Sequence, residues 1–198
     1  MNVVIVGAGG HGRDLQAIVD AAGHRFVGFL DDNADLPLVI GPPAVRPSVN
    51  GNLFVGVNAP AERERLAQTT GRASRRPLVH PSATVGPNVS FGVGCVVAAG
   101  AVLDRDVHLG DHVHVHTGVT VTRTIIGAFT TICPGATICG DVTIGLRTVI
   151  GAGAVVTNLT RIGDHVVVGA GAVVLSDLPD AVTAVGIPAR ATPQEPTP

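Results

Sequence analysis

Aliphatic residues recur every six positions through most of this chain. From Val79 they fall at Val85, Phe91, Val97, Leu103, Leu109, Val115 and Val121, and then, after one step of five, at Ile126, Ile132, Ile138, Ile144, Ile150, Val156, Ile162, Val168 and Val174. Phe91 is the only anchor that is not aliphatic. Four places after an anchor stands a second small or apolar residue, as at Val89, Cys95, Ala101, Val107 and Val113, and glycine often follows the anchor itself. The period is even, so the anchor and the residue two before it share one side of a strand and point inward, while their neighbours point out. A fixed hexad without insertions predicts short strands wound round three faces of a parallel β-helix, with neighbouring coils about 4.8 Å apart. The single short step lies within Val121–Gly127.

Residues 1–78 carry a different pattern. Asn2–Val6 is a continuous apolar run, expected as a buried strand, and Gly7-Ala-Gly-Gly-His-Gly12 is a glycine turn. Arg13–Ala22 predicts a helix with Leu15, Ile18 and Val19 on one face, stopped by Gly23. A second strand is expected over Arg25–Leu30, ending in Asp31-Asp32, then a proline-rich loop around Pro37 to Pro47. A third strand at Asn52–Val57 precedes a polar helix at Pro60–Thr70 with Pro in its first turn. Alternating strands and helices predict a small α/β, Rossmann-like domain with a parallel sheet over residues 1–78. The β-helix is expected over residues 79–190, after a joint at Arg75-Arg76-Pro77, with a disordered tail at 191–198.

Composition narrows this picture. Apolar residues make up 45% of the chain, yet Trp and Tyr are absent and there are five Phe, so Val, Ile, Leu and Ala must build the core. A net charge of −2 shows no basic surplus, which argues against nucleic acid or an anionic membrane as partner. Three cysteines (Cys95, Cys133, Cys139) without a C-x-x-C pair argue against a disulfide framework or a zinc site and are expected as apolar fillers. No charged leader with a cleavage site opens the chain, and no apolar run reaches membrane-spanning length, so a cytoplasmic protein without membrane insertion is expected.

Gly7, Gly9 and Gly12 fit G-x-G-x-x-G between strand and helix, with Asp31 and Asp32 at roughly the spacing of a ribose-binding carboxylate. Glycine is needed there because phosphate must approach backbone N–H groups at a helix N-terminus. The domain has about the length of one mononucleotide-binding half, which favours a mononucleotide diphosphate over a dinucleotide. A βα turn that binds nothing satisfies the same pattern.

Several segments together, Gly7–Gly12, Gly28–Asp32, Val79-His-Pro-Ser82, Thr117-Gly118, Ile132-Cys-Pro-Gly135 and Val185–Arg190, resemble the nucleotide-sugar N-acetyltransferases and sialic acid O-acetyltransferase-like proteins of bacterial glycan synthesis. The resemblance implies a left-handed β-helix, a homotrimer with each site between two subunits, a nucleotide-linked amino sugar on the N-terminal domain, and acetyl-CoA or another acyl-CoA along the later coils. No metal is expected. By position it assigns Gly9, Gly10, His11, Gly12, Asp31, Asp32 and Asn58 to the nucleotide sugar, and Gly145, Ala152, Gly169, Ala170 and Pro188 to the CoA arm. Small residues also serve tight coil stacking, so packing is an equal reading of the CoA set.

The family's chemistry uses a His followed by an acid before the Ile-Gly pair, and a second His one rung later. Here Arg123, Thr124 and Thr131 hold those places. Arg123 cannot act as a base because its pKa exceeds 12; it suits a carboxylate or phosphate on the acceptor instead. His108, His112, His114 and His116 crowd just upstream. Counting hexads places His114 directly below Thr131, one coil from the family's histidine, which makes it the first candidate for a displaced base and His116, on the same outward face, the second. Solvated or subunit-facing histidines would look the same. Two functions stay open: an acyl-CoA-dependent transferase acting on an amine, less favourably a hydroxyl, by an atypical mechanism, or an inactive or divergent member that binds a nucleotide-sugar-like ligand or does other chemistry on an anionic acceptor.

Overall fold

The computed structural model describes residues 1–44, 51–71 and 73–193. The apolar run at the start forms β1 (Asn2–Val6), buried over its last four residues. It is followed by α1 (Gly10–Ala21), β2 (Arg25–Leu30), β3 (Val39–Gly41), β4 (Asn52–Val55) and α2 (Pro60–Thr70). All pairings in this sheet are parallel, in the order β3-β2-β1-β4. α1 begins three residues before the expected Arg13, so His11 and Gly12 belong to its first turn. β3 lies within the stretch expected as a proline-rich loop, pairing beside β2 where Leu38 adopts positive φ. Residues 45–47, the far end of that loop, lie outside the described residues. Leu15, Ile18 and Val19 bury against Val3, Ile5 and Phe29, as the helical spacing required.

The hexads form a parallel β-helix whose short strands stack in three sheets. The first face carries Val96–Val97, His114–Val115, Thr131–Ile132, Val149–Ile150 and Val167–Val168, the second Val102–Leu103 and Thr120–Val121, the third His108–Leu109, Thr124–Ile126 and Val142–Ile144 among others. Inward anchors and their partners two residues earlier form one continuous core from Cys95 to Ala184. Each coil contacts only its neighbours, so end coils depend on what caps them. Val85, an expected inward anchor, is 42% exposed because no coil lies beyond it. Leu78, by contrast, is fully buried and packs in the core of the N-terminal domain together with Val96. The expected boundary at 78/79 is therefore shared by both cores.

At the other end the chain makes an antiparallel hairpin, Val182–Val185 with Arg190–Pro193, whose connecting turn contains a cis peptide at Ile187-Pro188. Residues 191–193, expected in the disordered tail, are thus a strand, held because their backbone groups find partners on Val182–Val185; residues 194–198 lie outside the described residues.

The short step in the hexads is absorbed at one corner. His114 pairs with Val96, 18 residues before it, but with Thr131, 17 after it. Arg123 keeps the left-handed backbone of its corner column (φ 42°), as do Asn88, Asp106 and Asp141. The missing residue comes from the turn ahead of it, and the strands on either side keep their register.

Candidate active site between the two domains

α2 docks the N-terminal domain onto the first face of the β-helix through a buried arginine. Arg63 is 0% exposed. Its Nε donates to the His112 carbonyl at 3.0 Å, one terminal nitrogen to the carbonyls of Val57 (2.9 Å) and Asn58 (2.8 Å), and the other to Phe129 (2.6 Å) and the Thr131 hydroxyl (3.0 Å). Among the described residues no carboxylate pairs with it; oxygen dipoles solvate the charge instead. Burial still pulls its pKa down to about 9. A second link pairs Glu64 with Arg147 of a later coil.

Under this clamp the four upstream histidines separate. His108 bonds Ser90 on another face. His112 is buried and stacks on Phe129, ring centroids 5.0 Å apart. His114 and His116 project outward side by side beneath α1, where His11 meets both. His11 Nε2 lies 2.9 Å from His114 Nδ1, and its ring stacks on His116 at 4.9 Å. His116 Nε2 is 3.0 Å from Asn58 Oδ1, and His11 Nδ1 is 3.7 Å from Asp14. A cavity of about 320 Å³ opens beside this cluster, lined by His11, Asp14, His80, His114, His116, Thr117 and Pro134 with apolar residues of α1 and the coils.

The surroundings keep these imidazoles neutral. Burial, then neighbouring His116 and Arg63, lowers the His11 pKa to about 3. Burial and Arg63 lower His112 to about 4. His114 falls well below its ordinary value from burial first, then Arg63 and the other histidines. His116 is lowered by burial and Arg63, with Asp14 opposing.

His114 has the register that hexad counting expected, directly in line with Thr131. His114, the first candidate, is only 1% exposed beneath the N-terminal domain, yet it lines the cavity together with His11. His116, the second candidate, is half-buried and lines the cavity. Arg123 joins neither. Its guanidinium holds Asp141 through two hydrogen bonds, 2.9 and 3.1 Å, at the corner opposite the first face, within a shallow depression shared with His108 and Ile125. It therefore does not line the cavity that holds His11, His114 and His116 of its own chain.

The nucleotide-sugar set also divides. Gly9 and Gly10 have open space where a side chain would begin, at an N-terminus of α1 that no side chain caps. Gly12 is needed for packing, since a Cβ there would lie 2.0 Å from the Gly7 carbonyl. Asp31 is committed to the turn, accepting the N–H groups of Ala8 and Asn33. Asp32 stays exposed and lines a smaller pocket of about 180 Å³ with Gly7, Asp31, Val57, Glu62 and Arg65. In the CoA set, Gly145 and Gly169 are required by stacking, because a Cβ would meet Asp164 and Val185 within 2.7 Å. Ala152 and Ala170 are exposed and share one corner column with Ala99, Thr117 and Pro134, each linked to the next coil by the same backbone bond. That column runs from the histidine cavity towards the terminal hairpin, where Pro188 is exposed.

Two family models match the chain: the PglD N-terminal domain over residues 2–69 and the bacterial transferase hexapeptide (six repeats) over residues 123–158. Among solved structures, the acetyltransferase domain of PglB from Neisseria gonorrhoeae in complex with acetyl coenzyme A is 33% identical, covering 96% of this chain and 98% of that one, with TM-score 0.90. A histidine-to-asparagine mutant of perosamine N-acetyltransferase from Caulobacter crescentus, in complex with CoA and GDP-perosamine, is also 33% identical, covering 98% of each chain, with TM-score 0.91. The chain belongs to the hexapeptide-repeat sugar N-acetyltransferase family. WeeI from Acinetobacter baumannii, 24% identical with TM-score 0.85 over 97% of this chain, shares the fold. The comparison with curated proteins finds no match.

Several residues at this junction of the two domains carried no signal in the sequence. Arg63 lies in a helix read only as polar, and Asp14 and His80 were assigned no site role. The register of α2 against the third coil, which gathers them, has no periodic signature. Thr131 was visible only as a missing histidine, whereas its hydroxyl accepts from Arg63 and donates to the Asn58 carbonyl at 3.0 Å.

Proposed function

We propose that the chain transfers an acetyl group from acetyl-CoA to the amine of a nucleotide-linked amino sugar, with the histidine cavity as the acceptor site. One observation carries this reading. Thr117 and Pro134 line the cavity and also begin the corner column that continues through Ala152 and Ala170. A pantetheine arm lying along that column brings its thioester to His116. The nucleotide fits the small pocket at Gly7 and Asp32, with its phosphates near Gly9 and Gly10 at the N-terminus of α1. The GDP-perosamine and CoA bound to the Caulobacter protein are the same two classes of ligand.

The chemistry follows from the cavity's neutrality. The amine nitrogen attacks the thioester carbonyl, the N–C bond forms, and the C–S bond breaks. The nitrogen's proton passes to an imidazole and then to the departing thiolate, giving CoA thiol and the amide. His116 is half-buried at the cavity wall, and its lowered pKa keeps it unprotonated at pH 7. A histidine on this face replaces the base that the family keeps at the corner held here by Arg123. We further propose a cytoplasmic homotrimer, for which exposed apolar residues such as Ile125 (56%) and Val85 (42%) supply surface outside the cavity. In it, Arg123 reaches an anionic acceptor group only in a neighbouring subunit's site.

Thiol release from acetyl-CoA, measured against a panel of UDP- and GDP-linked amino sugars, tests the reading. Release with at least one of them is expected. Stabilisation by nucleotide sugar without any release across the panel would reject it.

A further inference from the structure

Asn58 sits at the junction of the two domains, bonded to His116 of the larger cavity and adjacent in the chain to Val57 of the smaller pocket. It lies in the Gly56–Ala59 loop between β4 and α2, next to Val57, which lines the nucleotide pocket. Its side-chain oxygen is 3.0 Å from His116 Nε2. Its backbone is held from two sides: the carbonyl accepts from Arg63 at 2.8 Å and from the Thr131 hydroxyl at 3.0 Å. Arg63 in turn holds Phe129 and His112 of the β-helix. Few exposed loop residues are anchored so firmly.

The chemistry of the contact is directional. An amide oxygen only accepts, so the hydrogen must be on His116 Nε2. A neutral imidazole carries one N–H, which leaves Nδ1 with a free lone pair. Among the described residues Nδ1 has no hydrogen-bond partner, and it is not among the buried orphaned atoms, which do include His114 Nε2 and His112 Nδ1. The lone pair is therefore unpartnered on a side chain that lines the cavity.

We propose that Asn58 is a positioning residue that fixes His116 as the Nε2–H tautomer, leaving Nδ1 as the atom that takes the acceptor's proton. This rests on the acetyltransferase reading for its purpose but not for its geometry. Thr131 belongs to the same device. A threonine there lets Arg63 and the Asn58 carbonyl share one hydroxyl, a contact that a histidine at that position would displace. The loss of the family's second histidine and the use of His116 are then two sides of one rearrangement, and the loop that borders the nucleotide also sets the base.

Long-range 1H–15N spectra of the full chain with labelled histidine test the proposal, with His116 assigned by the signal lost in His116→Gln. The wild type is expected to show His116 protonated on Nε2. Asn58→Ala should give a mixture of tautomers. Asn58→Asp, which keeps the size, should retain the tautomer and raise the His116 pKa by about one unit or more, since a carboxylate favours the imidazolium. A wild-type His116 protonated on Nδ1, as the reversed Asn58 amide would require, would overturn it. An Asn58→Ala spectrum identical to wild type would do the same. Because the spectrum needs no turnover, absence of thiol release would count against the acetyltransferase reading alone.

Discussion

Gly9 and Gly12 stand three residues apart in one glycine turn, yet only Gly12 is fixed by packing. A methyl group there overlaps the Gly7 carbonyl, and Gly56 crosses so close that its own Cβ would lie 2.6 Å from the Gly12 Cα. Gly12→Ala is expected to lower stability by about 1–3 kcal/mol, the usual cost of overpacking, measured by urea denaturation. Gly9→Ala should leave the denaturation midpoint in place, because nothing lies within 4 Å of the added carbon. The spacing of the glycines was legible in the sequence; their different duties were not, because strand β4 approaches from fifty residues away. His114 repeats the lesson. Hexad counting placed it in register with Thr131, but its burial depends on α1 and on Arg63, neither of which the repeat encodes.

At the scale of elements, the repeat made the β-helix almost fully readable, because each coil is specified by its own six-residue pattern and its nearest neighbours. Where it failed, a neighbour was missing or came from elsewhere: Val85 at the open end, Leu78 beneath the N-terminal domain, residues 191–193 in the hairpin. The shortened corner at Arg123 was legible as a slip, but the Asp141 that its guanidinium holds was not. α2 shows the reverse case, with little apolar patterning and a decisive role. Arg63→Ala would leave the carbonyls of His112, Val57 and Phe129 without their donor. With about 1–3 kcal/mol for each buried polar group left unsatisfied, a loss of at least about 3 kcal/mol is expected. Chemical denaturation checks it, and a variant as stable as wild type would contradict the clamp.

Across the whole molecule, the two domains meet over neutral histidines and one buried cation. His11, with a pKa near 3, and His112, near 4, titrate far below the ordinary 6.5. Asp14 and Asp111 are the acids beside this group, and each only partly opposes the shift. The native state therefore binds fewer protons than the unfolded chain once pH drops below about 6.5. Stability is fully present above that value and declines as pH falls towards 4, by up to about 1.4 kcal/mol per pH unit for each such histidine. Urea midpoints at pH 7.5 and pH 5 should differ accordingly, with pH 5 lower; equal midpoints would contradict neutral burial. The same neutrality is what qualifies His116, which lines the cavity from a half-buried position, to accept a proton at physiological pH. The most direct measurement is therefore kcat for thiol release by His116→Ala, using acetyl-CoA and whichever nucleotide-linked amino sugar the wild type accepts. The site described here predicts a fall of about 10²- to 10⁴-fold, the usual contribution of a general base, with KM for acetyl-CoA little changed; a variant that keeps the wild-type kcat would contradict it.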